Sequence, residues 1–75
     1  MLAYILCQLN KSKARDIQSD IGSHPLVNDV HILFGEWDLI VEVEAQNQQT
    51  VSEFVIDELR SNEDIALTST LIVAE

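Results

Sequence analysis

The chain has 75 residues, one cysteine and a formal charge of −9 from thirteen acids against four bases. This describes one domain with no intrachain disulfide, too acidic to hold a nucleic-acid backbone or an anionic bilayer. A domain this short buries only about 60% of its unfolded surface, and no paired Cys/His spacing offers a structural zinc, so a partner copy is the expected stabiliser.

Leu2 to Leu9 is an apolar run with β-branched and aromatic members. It has no basic leader and no small-residue cleavage site, so it reads as a strand rather than a signal peptide. It is apolar on both faces, with Ala3, Ile5, Cys7 and Leu9 on one and Leu2, Tyr4 and Leu6 on the other. No apolar run approaches the ~20 residues of a membrane span, and a cytoplasmic protein is expected. Ser12 is the expected cap of a helix beginning near Lys13. Ala14, Ile17 and Ile21 give that helix one apolar stripe, and Gly22 and Pro25 end it.

Val27 to Phe34 alternates as strand two, with His31 on its second face. Gly35-Glu36-Trp37-Asp38 is the turn. Leu39 to Ala45 is strand three, with Leu39, Val41, Val43 and Ala45 on one face and Ile40, Glu42 and Glu44 on the other. A second helix runs from Asn47 to Ser61, capped by Asn47 or Thr50, with Val51, Phe54, Val55 and Leu59 as its apolar stripe and Arg60 complementing the dipole at its end. Ala66 to Ala74 is strand four, rich in β-branched residues.

The order βαββαβ predicts an α+β, ferredoxin-like sandwich: a four-stranded antiparallel sheet ordered 4-1-3-2 with two helices on one face. The other face then carries the second apolar side of strands one and four. It is expected to pair with another copy, giving a sheet-on-sheet dimer.

No catalytic constellation emerges. Cys7 is read as a small buried hydrophobe, His24 and His31 lack a chelating spacing, and Glu42 and Glu44 read as a polar strand face. No enzyme activity, metal or cofactor is expected. The turn is the most informative stretch. Gly35 permits a positive φ and exposes backbone amides, Asp38 accepts from amides or an ammonium, and Trp37 offers apolar cover. Those are the groups an α-amino acid needs. The same residues equally suit a plain hairpin whose Trp packs on a neighbouring subunit. Thr68, Ser69 and Thr70 add hydroxyls on both faces of strand four.

"HPLVNDVHILFGEWDLIVEVEA", then an amphipathic helix, then "LTSTLIVAE" resembles the effector-binding (RAM) domain of Lrp/AsnC, or feast/famine, regulators over essentially the whole chain. The marks are Val30, the Gly-x-x-Asp-Leu turn (Gly35, Asp38, Leu39), and the Thr-x-Thr-x-x-Val pattern (Thr68, Thr70, Val73). The resemblance implies dimers joined through their sheets and rings of dimers, often octamers. It also implies a small effector, usually an amino acid, held between dimers near the turn. Gly35, Glu36, Trp37 and Asp38 would line that site, with Thr68, Ser69 and Thr70 as its second side. Two features depart from the family pattern: Phe34 stands where Thr is frequent, and Asn62-Glu63-Asp64-Ile65 replaces a frequent Pro-Gly-Val.

Met1 opens directly on strand one, so residues 1–75 are expected to be a single effector domain without a helix-turn-helix, the stand-alone form. Such a domain would bind no nucleic acid itself and would act through full-length Lrp/AsnC regulators. Three rival functions share the fold. One is a ring-forming subunit with no ligand. Another is an ACT-type ligand module, which would want Gly in the first strand–helix loop, where Asn10-Lys11-Ser12 stands. The third is an α+β-barrel enzyme, to which only His31 or Tyr4 could be offered.

Overall fold

Alternating apolar strands and two striped helices assemble as the chemistry demands. The computed structural model describes residues 1–10 and 13–75. Its elements are β1 (Leu2–Leu9), α1 (Ala14–Gly22), β2 (Val27–Ile32), β3 (Leu39–Glu44), α2 (Gln48–Phe54), a π-helical segment (Val55–Arg60) that continues α2, and β4 (Ile65–Ile72). The strands form one antiparallel sheet in the order β2-β3-β1-β4, and the fold is ferredoxin-like.

One face of the sheet is the core. Ala3, Ile5 and Cys7 of β1, Leu39, Val41 and Val43 of β3, and Val30 of β2 are buried against Ile17 and Ile21 of α1 and against Val51, Phe54, Val55 and Leu59. The period-two and helical stripes of the sequence therefore meet where expected. Burying each Val, Leu, Ile or Phe of this set contributes about 1.5–3 kcal/mol before ordering costs.

Several boundaries differ from the sequence pattern, and β3 ends at Glu44 rather than Ala45. β2 ends at Ile32, so Leu33 and Phe34 fall in the bend, and Phe34 is fully exposed. β4 runs from Ile65 to Ile72. The second helix changes to π geometry at Val55 although its apolar stripe stays in register. A widened turn leaves no mark in hydrophobic periodicity, because Val55 and Leu59 are buried in either winding.

Asn47 is the cap of α2: its Oδ1 accepts from the Thr50 amide at 2.8 Å and from the Thr50 hydroxyl at 2.9 Å. The proposed Ser12 cap of α1 and the Lys11-Ser12 part of the first loop lie outside the described residues, and Lys13, which precedes α1, makes no side-chain cap. His24 fixes the link from α1 to β2. Its Nδ1 accepts from the Leu26 amide, its ring meets Phe54 edge-on at 4.9 Å, and its Nε2 lies 3.5 Å from Glu58. Among the described residues, no helix is long and apolar enough to cross a membrane.

Candidate functional site

The β2–β3 hairpin is built by its ends. The Leu33 amide donates to the Asp38 carbonyl at 2.8 Å, closing a four-residue loop of Phe34, Gly35, Glu36 and Trp37. Gly35 has φ +135°, a backbone state that only glycine adopts without strain. Its glycine requirement was legible in the sequence.

Asp38, which the sequence offered as an acceptor from amides or an ammonium, takes a backbone amide of a strand far away in the chain. The Asp38 amide donates to the Cys7 carbonyl, extending the β1–β3 ladder past Leu39. Two residues further along β1, the Leu9 amide points to the same side, but β3 has already turned away. The Asp38 carboxylate fills that gap, accepting from the Leu9 amide through Oδ2 at 2.7 Å. Gln8 adds a second tie, donating from Nε2 to the Glu36 carbonyl at 2.8 Å. The turn is thus fastened to the end of β1, and one Asp38 oxygen is committed to holding it there. Among the described residues, Oδ1 has no hydrogen-bond partner. Trp37 is half-buried, so the aromatic offered fully to solvent at this turn is Phe34.

Thr68, Ser69 and Thr70 stand on β4 on the far side of β1. Cys7 pairs with Leu39 on one flank and with Thr68 on the other. The turn and the threonines are therefore separated by roughly 10 Å, two strand spacings. The pairings Cys7–Thr68 and Ile5–Thr70 put both threonines on the helix side of the sheet, while Ser69, paired with Leu6, faces the open side. Among the described residues, the hollows that Thr68 and Thr70 line have none of Gly35–Asp38 on their walls.

The open face holds Leu2, Tyr4 and Leu6 of β1, Ile40, Glu42 and Glu44 of β3, Asp29 and His31 of β2, and Leu67, Ser69 and Leu71 of β4. Leu67 and Leu71 are each about half exposed, at 53% and 51%. The carboxylate of Glu42 pushes the Tyr4 phenol above its ordinary value of 10.0, with burial adding less. His31 Nε2 lies 3.2 Å from Asp29. The Met1 ammonium binds Glu44 at 2.7 Å and the Ala45 carbonyl at 2.7 Å. Cys7 sits on the opposite, buried face, where burial pushes its thiol up to about 11. That is the inert hydrophobe expected of it. Among the described residues, no group of three or more His, Cys, Asp or Glu side chains is placed to hold a metal.

Comparison with known proteins identifies the family. The model of the Lrp/AsnC ligand binding domain matches residues 2–75, and the chain belongs to that family. An uncharacterized HTH-type transcriptional regulator of Pyrococcus abyssi is 40% identical over 58 residues, 77% of this chain and 39% of that protein. The chain spans less than half the length of the curated relatives it matches. The solved structure of FFRP-DM1 superposes with a TM-score of 0.90 at 30% identity, covering 96% of each chain. A transcriptional regulator from Neisseria meningitidis, solved as an L-Met complex, gives a TM-score of 0.86 at 25% identity over 99% of this chain and 49% of its own. The curated relatives are HTH-type transcriptional regulators.

Proposed function

We propose that this chain is an effector-sensing domain that binds a small amino acid between copies of itself. The observation that carries this reading is the separation of its two ligand-suited surfaces. The turn offers Gly35 amides, a free Asp38 oxygen and the Trp37 and Phe34 rings. Thr68, Ser69 and Thr70 offer hydroxyls and a strand edge. A second copy is needed to bring the two kinds of surface together, the turn of one chain meeting the β4 of another. Asp38 Oδ1 takes the ammonium, the Gly35–Glu36 amides take the carboxylate, and Trp37 walls the side chain. The L-Met complex of the Neisseria regulator supports a ligand of this class.

Assembly proceeds in two stages. The open sheet face, with Leu2, Tyr4, Leu6, Ile40, Leu67 and Leu71, closes on its own copy to give a dimer. Dimers then join through the hairpin turns, with the exposed Phe34 as anchor, into a ring of dimers. The domain works in the cytoplasm and acts on transcription through regulators of its family that carry a DNA-binding part, with no nucleic-acid contact of its own. Regulation follows from linkage: a ligand that binds only the completed contact stabilises the assembly that contains it.

The test is thermal unfolding against each standard amino acid, with light scattering on the same samples. A selective rise in Tm together with a mass well above a dimer supports the sensor. A large assembly indifferent to every amino acid would instead make the chain a ring subunit without a ligand.

A further inference from the structure

We propose that Arg60 and the outer edge of β4 form a subsite for a carboxylate, so that the effector is an amino acid with an acidic side chain. The proposal rests on the ligand-binding reading above and names the class of ligand.

The first observation is isolation of charge. Three of the four bases lie within residues 11–15, and Arg60 is the fourth. The chain has thirteen acids, with Asp57 one turn earlier on the helix and Glu63 and Asp64 just beyond it. Yet among the described residues Arg60 makes no ion pair or side-chain hydrogen bond. In so acidic a chain, an anionic ligand is repelled almost everywhere, and an uncompensated guanidinium marks where it is not.

The second observation is where Arg60 stands. It borders two adjoining hollows along β4. One, of about 340 Å3, is lined by Arg60, Ile65, Ala66, Leu67 and Thr68. The other, of about 270 Å3, has Arg60 with Thr70, Ile72, Ser52 and Ile56 on its wall. The π-helical segment ends at Arg60, keeping Leu59 fully buried while Arg60 stays at the surface beside the strand. Such widened turns recur at binding sites.

The third observation is the strand edge. The Val73 amide donates to the Leu2 carbonyl, so the odd-numbered residues of β4 direct their peptide groups at β1. By the alternation of an antiparallel ladder, Thr68, Thr70 and Ile72 direct theirs outward, where no strand follows. Each free edge position offers an N–H donor and a C=O acceptor side by side. The outward N–H groups add donors for the side-chain carboxylate, while the ammonium and backbone carboxylate are held by the turn of the neighbouring copy, and the threonine hydroxyls lie on the same side as Arg60. The guanidinium fork then meets the side-chain carboxylate in two parallel hydrogen bonds, which an amide cannot reproduce with charge.

The test is calorimetric titration of the intact protein with L-glutamate, L-aspartate, L-glutamine, L-asparagine and L-methionine. Arg60→Gln, Arg60→Lys and the distant control Arg15→Gln are titrated beside it. Arg60 is exposed, so its variants should fold, which circular dichroism checks. The expected result is an acid bound at least about tenfold tighter than its own amide. Arg60→Gln should abolish that preference, Arg60→Lys keep part of it, and Arg15→Gln leave it intact. Acid and amide binding equally, or a preference that survives Arg60→Gln, would overturn the proposal. Binding of L-methionine or an amide alone would also overturn it while leaving the sensor reading standing. Binding of none of the five, with no response to any other amino acid, would sink both.

Discussion

Asp38 ties the turn to β1 and, in the proposed site, takes the ammonium, and the two roles can be separated by substitution. Its Oδ2 replaces the missing ladder partner of Leu9, a charge-assisted bond to a partly buried amide. Asp38→Ala should lower stability by about 1–2 kcal/mol in urea unfolding and weaken amino-acid binding, while leaving the dimer folded. Asp38→Asn can keep the strand tie through its amide oxygen but loses the charge offered to an ammonium. It should therefore recover most of the stability and little of the affinity. Equal recovery of both would deny Asp38 a part in binding. Cys7 offers a second test. With its thiol raised by burial from 9.0 to about 11, the folded state holds its proton more tightly than the unfolded one. Its contribution to stability is full below pH 9 and is lost as pH rises from 9 towards 11. The native thiol should resist alkylation at pH 8 and react promptly in denaturant; fast native labelling would show that the core opens.

At the scale of elements, the second helix depends on a side chain at each end. Asn47 takes two hydrogen bonds from Thr50 at its start. Asn47→Ala should cost about 1 kcal/mol of stability, read from the urea midpoint at unchanged slope. At the other end His24 braces Phe54 and Glu58 from the α1–β2 link. The cap and the stripe were visible in the sequence, because both are local, whereas the His24 contacts join residues far apart in the chain and were not. The apolar sets of both helices and of β1 and β3 were legible from spacing alone. The π winding of Val55–Arg60 and the early end of β2 were not. Both depend on how the segment meets the sheet: Val55 and Leu59 stay buried in the π winding, while Phe34 leaves the strand and is fully exposed.

For the whole molecule, the prediction concerns the uncovered side of the sheet. Leu71 is half exposed there and, among the described residues, stands outside the buried core cluster. Leu71→Arg should leave the monomer fold intact and raise the dimer dissociation constant by at least about tenfold, seen as a fall in mass by light scattering on dilution. Phe34→Ser, at the fully exposed turn position, should leave the dimer and reduce larger assemblies. If Leu71→Arg left the mass unchanged, the sheet face would not be the dimer contact.

The sequence by itself determined the order of elements, the faces they bury and the glycine at the turn, because side-chain periodicity and φ preference act within a few residues. It also marked Gly35–Asp38 and Thr68–Thr70 as suited to a ligand, and it carried the family resemblance. Only the tertiary structure decided how those marks relate. The pairing of β1 between β3 and β4 holds the two sets apart, turns Asp38 toward the Leu9 amide, and leaves Arg60 beside an open strand edge. Each of these depends on residues far apart in the chain meeting across a strand, and local pattern carries no record of which strand that is.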